Sequence, residues 1–361
     1  MESKKSVLIQ MRDLRVGNGI AACIMNYYEY TIHHDFSIDF LLNRNIESPY
    51  VDIVQKYGSH IYSLPFDTSK PCKCNYNYIK RIVTNKYDIF HVNLSGLNAL
   101  EGLRAAKKAG IDIRIYHAHN PRETSSCKAK MRSAVYETAS VWIANRYVAC
   151  STLAGDSLFG NKPYTVLKNA MNTDKYIFDE AARRKLRQEL NIDGKYVVGV
   201  VARLAEQKNP YFIIDIFTEI CKKKSNAMLI WVGDGELKQR LLNYVLDKGV
   251  VGKVMFLGTR DDVNKLYSAM DVFLLPSKFE GLGMVFVEAQ IAGLECFGSS
   301  QVPVDVVKTE KMHRIDINRP AADWALEILK YPKNQNQRYL RIKTGFERED
   351  MMDALANLYL S

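Results

Sequence analysis

Two carboxylates, Glu280 and Glu288, flank a glycine-containing turn with seven residues between them. The apolar run 272–276 before the turn indicates a buried parallel strand, and the apolar spacing after Gly283 indicates the start of a helix. Such a turn leaves backbone N–H groups free, and the helix dipole adds positive potential, so an anion is favoured there. Glu280 would lie at the mouth of a pocket, and Glu288 would reach in from the helix to bind hydroxyl groups. An ordinary strand–helix connection with two solvated glutamates is the alternative for this stretch alone.

Two cations follow the predicted strand 196–201. Arg203 and Lys208 lie in one short loop, so both can converge on a single pyrophosphate. Arginine can bind phosphate oxygens bidentately, and lysine acts as a point charge. Taken without the neighbouring motifs, a solvated arginine and lysine would explain the loop equally well.

Two histidines end another predicted strand. His117 and His119 follow the predicted strand 111–116, at the carboxyl end where open α/β sheets bind ligands. Polar residues that cap a loop before Pro121 are the alternative interpretation.

Near the N-terminus, a predicted strand over 6–10 leads through Gly17, Asn18 and Gly19 into a helix. This is another helix start suited to an anion, although the full dinucleotide fingerprint G-x-G-x-x-G is missing. Strands alternate with helices along the chain, which predicts parallel, doubly wound sheets. The length of 361 residues is enough for two domains.

Several of these stretches resemble retaining glycosyltransferases of family 4. Residues 277–294 are similar to the E-x7-E signature of that family, and residues 202–210 to its Gly-Arg-Leu…Gln-Lys-Asn segment, with Ala202 in place of a glycine. Residues 166–172 resemble its Pro-Asn-Gly-Ile-Asp stretch, with Ala170 in place of the glycine. The match is most specific over 200–300 and becomes thin beyond Thr309.

The resemblance implies the GT-B fold, in which two Rossmann-like, doubly wound α/β domains face a central cleft. An acceptor-binding domain would comprise residues 1–170 with a final helix over about 346–361 that crosses back onto it. A nucleotide-sugar-binding domain would comprise residues 171–345.

The resemblance also implies roles for individual residues. Catalysis is assigned to four residues: His119, with His117 as the alternative, Arg203, Lys208 and Glu280. Donor binding is assigned to the N-terminal loop, the cations and the signature turn: Gly17, Asn18, Gly19, Arg203, Lys208, Arg260, Glu280, Gly281, Leu282, Gly283 and Glu288. Glu288 would hold the ribose, and the turn amides would bind the diphosphate.

The function implied is transfer of a hexose, with retention, from a UDP-sugar or another nucleotide-sugar to an acceptor hydroxyl. The acceptor expected is a lipid-linked or growing surface glycan of a capsule or exopolysaccharide. No D-x-D pair ends a strand, since Asp261 and Asp262 are adjacent and open a helix. We therefore expect Arg203 and Lys208 to replace a metal ion, and we expect no cofactor.

Two other classes stay open at this point. One is a different GT-B enzyme, such as a nucleotide-sugar epimerase or a sugar phosphorylase. The other is a non-catalytic binder of nucleotide-sugars or nucleic acid. Nucleic acid is disfavoured because the aromatic residues are not interleaved with the basic ones, as a stacking surface requires.

Charge and cysteine usage suggest the surroundings of the protein. The net charge is +10, and residues 1–170 hold 22 basic against 14 acidic residues. This excess suggests that the protein binds an anionic membrane surface. Lys128, Lys130 and Arg132, which lie beside apolar residues, are the candidate contacts. The alternative is a bias that only keeps the chain soluble. Seven cysteines fit a reducing compartment, and no signal peptide or membrane span is evident. We expect a cytoplasmic protein, peripheral on the inner face of the membrane.

Overall fold

The chain divides into two compact units, each built on one parallel sheet. The computed structural model describes residues 4–16, 18–31, 36–66, 72–84, 86–119, 127–331, 338 and 342–360. The first unit is Met1–Met171 with Phe346–Ser361, and the second is Asn172–Gly345. Their assignment to acceptor and donor stays a prediction.

The first unit contains a seven-stranded sheet in the order β3-β2-β1-β4-β5-β6-β7, with every neighbouring pair parallel. Its strands β1 to β7 are Lys5–Met11, Phe36–Leu42, Ile61–Ser63, Ile89–Val92, Ile113–Ala118, Arg146–Ala149 and Thr165–Val166.

The second unit contains a six-stranded sheet in the order β10-β9-β8-β11-β12-β13, also parallel throughout. Its strands β8 to β13 are Tyr196–Val201, Ala227–Val232, Val254–Gly258, Val272–Leu275, Glu295–Ser299 and Met312–Ile315.

Helices cover both faces of the sheets. Helices α1 to α13 are Gly19–Thr31, Pro49–Lys56, Lys73–Val83, Gly96–Lys108, Cys127–Ile143, Thr152–Phe159, Glu180–Glu189, Pro210–Lys223, Lys238–Asp247, Val263–Ala269, Met284–Ile291, Ala321–Leu329 and Arg348–Leu360. Short 3-10 helices lie at Thr173–Tyr176, Glu206–Lys208 and Val304–Val306. Among the residues described, no helix is both long and apolar enough to cross a bilayer.

Strand β1 shows how the sequence sets the layers. Its side chains point alternately to the two faces. Val7, Ile9 and Met11 enter a core shared with helices α1 and α13, whereas Leu8 enters a second core shared with α3 and α4. Both faces are therefore buried, which is why β1 is apolar rather than alternating. Helix α13, predicted over 346–359, is thus part of the first unit.

The strand order reverses once in each sheet, between β1 and β4 and between β8 and β11. In open α/β sheets, ligands bind outside the carboxyl ends of the strands at such a switch point. The loop after β4 begins with Asn93, and the loop after β11 carries the signature turn around Glu280.

A buried carboxylate fixes strand β11 in place. Asp271, just before the strand, accepts from Arg183 at 2.6 Å and from the backbone N–H of Val197 at 2.7 Å. Arg187 adds a longer contact of 3.4 Å. Because these side chains are almost wholly buried, the charges must be paired, and the pairing ties α7, β8 and β11 together.

Candidate active site

The loops after β8 and β11 are joined by two hydrogen bonds. Lys278 N–H donates to the carbonyl of Gln207 at 2.9 Å, and the Gln207 side chain donates to the carbonyl of Phe279 at 3.0 Å. The cation loop and the signature turn, which are separate in sequence, therefore form one surface. Phe279 is 56% exposed on this surface and was not among the residues predicted for the site.

Lys208 and Glu280 form the ion pair at the centre of this surface. The Lys208 Nζ lies 2.8 Å and 2.7 Å from the two carboxylate oxygens of Glu280. Ser277 donates a further hydrogen bond of 2.6 Å to the same carboxylate. Glu280 was predicted to lie at the mouth of a pocket, which stays a prediction, and its side chain is buried, with 6% exposed. Glu280 therefore positions the ammonium group of Lys208.

Arg203 is the exposed cation of the loop. Within the described residues its side chain has no hydrogen bond or ion pair, whereas its neighbours Ala202 and Leu204 are buried. Its guanidinium group is therefore available to bind an anion bidentately.

Two glycines after β9 allow the cation loop to lie where it does. A Cβ atom on Gly233 would lie 2.2 Å from the carbonyl oxygen of Ala202, and one on Gly235 would lie 2.4 Å from that of Leu204. The indole of Trp231 donates to the Ala202 carbonyl at 2.9 Å. The sequence shows a tight glycine turn here, but its contact with residues 202–204 appears only in the structure.

The signature turn offers free backbone donors. Within the described residues, no hydrogen bond is made by the N–H groups of Gly281, Leu282 and Gly283. Gly283 has a φ of 85°, a left-handed conformation that favours glycine, and helix α11 starts directly after it. Unpaired amides at a helix start, next to Lys208, make a site suited to phosphate.

Glu288 lies on helix α11 and is held by a buried tyrosine. Tyr267 donates to the Glu288 Oε2 at 2.7 Å. Burial raises the pKa of Glu288 to about 7, and the hydrogen bond from Tyr267 opposes this rise. The carboxyl group therefore changes charge close to neutral pH.

We expect donor binding to weaken on acidification because Glu288 then becomes neutral. The KM for the nucleotide-sugar should rise as pH falls below about 7. In Glu288→Gln the KM should be raised at every pH, more than kcat falls, and its pH dependence over this range should disappear. Initial rates at pH 6, 7 and 8 measure both effects.

Thermal unfolding provides an independent check of the same titration. In the folded protein the pKa of Glu288 lies above its usual value of 4.5. The stability that the protonated carboxyl group contributes is therefore complete below about pH 4.5 and is lost as the pH rises through about 7. Glu288→Gln should therefore gain Tm relative to wild type between pH 5 and pH 8. A constant Tm difference, or an unchanged donor KM, would contradict the assignment.

Arg260 is engaged within its own turn. Its guanidinium group donates to Asp262 at 2.8 Å and 2.6 Å, a bidentate pair at the start of α10. This pairing raises the pKa of Arg260 and lowers that of Asp262. If Arg260 contacts the nucleotide-sugar, it would do so through the N–H groups that do not bond Asp262.

The N-terminal loop is described in part. Gly17 lies outside the described residues, and Gly19 is the first residue of helix α1. The Asn18 side chain accepts from the N–H of Ile20 at 3.1 Å and donates to Asp13 at 3.2 Å. Asn18 therefore caps the helix, a role that asparagine before a helix start favours.

His119 is a neutral group at the edge of the first sheet. Its Nε2 lies 2.7 Å from the Oδ1 of Asn93, and its carbonyl accepts from the Cys150 thiol at 3.2 Å. Burial lowers the pKa of His119 to about 4. At pH 7 the imidazole is thus a hydrogen-bonding group rather than a cation. The alternative, His117, is more deeply buried and contacts His91.

The predicted membrane contacts lie on α5. Lys128 and Lys130 are in this helix, but their side chains lie outside the described residues, and Arg132 is exposed. The apolar side chains of Met131, Val135 and Trp142 are also exposed, by 67%, 66% and 73%. They recur at helical spacing and so share one face of the helix.

The two units thus carry different chemistry. The second has an exposed arginine, a fixed lysine and free amides at the carboxyl edge of an open parallel sheet, which is the arrangement of a phosphate-binding α/β protein. Among the described residues, no group of three His, Cys, Asp or Glu side chains could hold a metal ion.

Comparison with known proteins specifies this class further. Residues 182–347 match the family model "Glycosyl transferases group 1". The chain is 26% identical to a putative glycosyltransferase, EpsF, of Bacillus subtilis strain 168, over 99% of this chain and 97% of the relative. It is 28% identical to the UDP-Gal:alpha-D-GlcNAc-diphosphoundecaprenol alpha-1,3-galactosyltransferase of Escherichia coli, over 64% of this chain and 62% of the relative.

Solved structures share the fold. HepE of Anabaena, in its complex with UDP-glucose, superposes with a TM-score of 0.79 at 18% identity, covering 98% of both chains. Each unit is a Rossmann-like, doubly wound α/β domain, as predicted for the GT-B fold. The chain has the GT-B fold, and it resembles glycosyltransferases, among them enzymes of bacterial polysaccharide biosynthesis.

Proposed function

We propose that this chain is a retaining hexosyltransferase that uses a UDP-sugar and needs no metal ion. In the reaction the bond between the sugar C1 and the diphosphate breaks, and a bond from C1 to an acceptor hydroxyl oxygen forms. UDP leaves with the negative charge that develops, and its diphosphate takes up the proton that the acceptor hydroxyl loses. Retention is inferred from the resemblance of residues 277–294 to the E-x7-E signature.

The observation that carries this proposal is the convergence of Lys208, Glu280 and the amides of 281–283 beside the exposed Arg203. Preorganised donors of this kind stabilise charge that develops on a leaving group. The Lys208 ammonium group has three N–H donors, and two of them form hydrogen bonds with the Glu280 carboxylate. The third N–H stays available for a phosphate oxygen. Fixed cations thereby take the part that a divalent ion plays in other transferases.

UDP is proposed as the nucleotide because two similar proteins carry it in their names. HepE was solved with UDP-glucose, and the relative from Escherichia coli is named as a UDP-Gal transferase. Glu288 would accept hydrogen bonds from the ribose. A thermal-shift panel of UDP-, GDP-, ADP- and dTDP-sugars tests this choice, and we expect the largest rise in Tm with a UDP-sugar. A larger rise with GDP-sugars would contradict it.

Turnover is expected to be unchanged by EDTA, because Arg203 and Lys208 supply the positive charge. The measurement is UDP release from the donor selected by the panel, with and without chelator and with magnesium added back. Loss of turnover in EDTA with recovery in magnesium would overturn the metal-free proposal.

We propose a lipid-linked acceptor at an anionic membrane surface, approached through helix α5. The exposed apolar face of Met131, Val135 and Trp142 lies beside Arg132 on a half of the chain that carries the basic excess. Apolar side chains at the lipid boundary with cations beside them are typical of membrane-surface helices. The named acceptor of the Escherichia coli relative is a diphosphoundecaprenol lipid, which fits this approach.

Binding to liposomes should increase with anionic lipid and decrease with salt, since each cation near the surface contributes roughly 1 kcal/mol and salt screens it. Replacing Lys128, Lys130 and Arg132 by glutamine should reduce co-sedimentation. Trp142→Ala should reduce it as well.

A matched control is Leu326→Ala, since Leu326 is 49% exposed on α12 of the second unit. This variant should bind liposomes like the wild type. Equal binding to neutral and anionic vesicles would show that charge does not direct the interaction, and a soluble acceptor would then be favoured.

A further inference from the structure

Trp231 of the second unit contacts the loop that carries Arg203. It belongs to β9, is fully buried, and packs against Phe256 of β10 with 5.8 Å between the ring centroids. Its indole N–H donates to the carbonyl of Ala202 at 2.9 Å. A buried indole usually finds an acceptor, which is the ordinary structural explanation of this bond. Because that carbonyl belongs to the peptide group between Ala202 and Arg203, the bond also fixes the orientation of the Arg203 N–H.

This peptide group is held at its carbonyl and free at its N–H. It is trans, so its C=O and its N–H point in opposite directions. The C=O points at the buried indole of Trp231, and the N–H of Arg203 therefore points away from the core. Within the described residues this N–H has no hydrogen-bond partner. A backbone donor is thus turned outward in the same residue that carries the exposed guanidinium group.

The rest of the main chain in this loop is hydrogen-bonded. In residues 202–204 every other N–H and C=O group has a partner in the second unit. These partners are Trp231, Val232, Asp234, Leu237 and Ala205. Backbone amides that a loop leaves free while it fixes their surroundings are typical of anion-binding sites.

Gly233 leaves the space beside this N–H open. A Cβ atom on Gly233 would lie 3.5 Å from the Arg203 nitrogen and only 2.2 Å from the Ala202 oxygen. Its φ of 132° is also a conformation that residues with side chains rarely adopt. A side chain here would therefore displace the peptide group that Trp231 holds.

We propose that the backbone N–H of Arg203 is a further donor to the diphosphate of the nucleotide-sugar, and that Trp231 is the positioning residue that directs it. Arg203 then binds the diphosphate through its main chain as well as through its guanidinium group. The orientation of this N–H is fixed before the ligand binds, which is the property that makes such donors effective. The inference rests on the proposed function in taking the anion to be a nucleotide diphosphate.

The first arm of the test observes this N–H by NMR. In protein labelled with 15N-arginine, the amide signal of Arg203 is identified by its loss in Arg203→Lys. UDP should move the Arg203 amide proton downfield, as a hydrogen bond to phosphate does, whereas uridine, which has no phosphate, should leave it in place. Trp231→Phe keeps a buried ring, removes the indole N–H, and should abolish the shift. A wild-type signal that UDP does not move would overturn the proposal.

The second arm measures UDP affinity by calorimetry. Trp231→Phe should weaken UDP binding by roughly threefold to tenfold, the effect of one hydrogen bond. The same factor should be found when Trp231→Phe is combined with Arg203→Ala, because that variant keeps its backbone N–H. If Trp231→Phe has no effect in the Arg203→Ala background, the tryptophan acts through the guanidinium group alone and the backbone donor is wrong.

The matched control is Trp324→Phe. Trp324 is also fully buried in the second unit, and its indole also donates to a main-chain carbonyl, that of Asp316, at 3.3 Å. This variant should lose stability but bind UDP like the wild type. Equal weakening of UDP binding by Trp231→Phe and Trp324→Phe would show a general loss of stability and contradict the positioning role.

A sugar-transfer assay on the same samples separates this result from the proposed function. If the wild type shows the Arg203 shift with UDP but transfers no sugar, the proposed function fails and the backbone donor stands. If the wild type binds no UDP, inorganic pyrophosphate is titrated in its place. A shift of the Arg203 signal with pyrophosphate keeps the donor as a diphosphate contact, and no shift with either compound overturns it.

Discussion

Replacing Arg203 by alanine is expected to lower kcat/KM for the nucleotide-sugar by about 10²–10³-fold, or about 2.7–4 kcal/mol of transition-state stabilisation. The guanidinium group is exposed and unpaired among the described residues, so nothing else satisfies the charge that it would neutralise. The stabilisation by the Arg203 guanidinium group should be greatest in the transition state, when the diphosphate departs. Most of the loss should therefore be in kcat, with a smaller change in donor KM.

Two variants show whether the loss comes from the phosphate contact. Arg203→Lys keeps the charge but loses the bidentate geometry, and should retain an intermediate rate. Arg240→Ala removes another exposed arginine from the same unit and should behave as wild type. Equal rates for Arg203→Ala and Arg240→Ala would remove Arg203 from the catalytic group.

Lys208→Met is expected to reduce both activity and stability. It leaves the buried Glu280 carboxylate with Ser277 as its remaining side-chain donor, and breaking a buried pair in this way costs about 3–5 kcal/mol. The free energy of unfolding, measured in urea, should fall by that order, and kcat/KM should fall with it. Lys208→Arg should retain most of the stability but not the activity.

The pair Lys248–Asp215 provides the control for stability. It is as short, at 2.6 Å, but its side chains are 36% and 29% exposed. Lys248→Met should therefore cost only about 0.2–1 kcal/mol. A double-mutant cycle on Lys208 and Glu280 should give a coupling of about 0.5–3 kcal/mol. No coupling would mean that Glu280 does not position the lysine.

Local sequence patterns predicted the elements well because each has its own signal. Apolar runs marked strands β8, β9 and β11, and glycine turns follow the last two. The loops after β8 and β11 carry Arg203, Lys208 and Glu280. The parallel, doubly wound sheets followed from strands that alternate with helices. What these patterns define is a residue's place along the chain.

Contacts between distant segments were not predictable in the same way. Lys208 pairs with Glu280, 72 residues away, because β8 and β11 are neighbours in the sheet. That neighbourhood is a property of strand order, which no local pattern contains. The burial of the Glu280 side chain and its pairing with Lys208 were not predictable for this reason.

The buried histidines of the first unit illustrate the same limit. His91 lies in an apolar strand and meets Tyr359, 268 residues later, only because α13 packs in the first unit. A polar residue in a buried strand was the available signal, and Asn93 directly after it was another. Neither signal identifies the residue that the side chain contacts.

The most direct test of the central claim is proton NMR of a single reaction that contains the α-linked UDP-sugar selected by the panel, a lipid-diphosphate acceptor and EDTA. We expect the donor signal to decline, UDP to appear, and a new anomeric signal with the small coupling of an α-linked sugar to grow at the same rate. A product with the large coupling of a β-linkage, or no reaction until magnesium replaces EDTA, would contradict metal-free, retaining transfer by this protein.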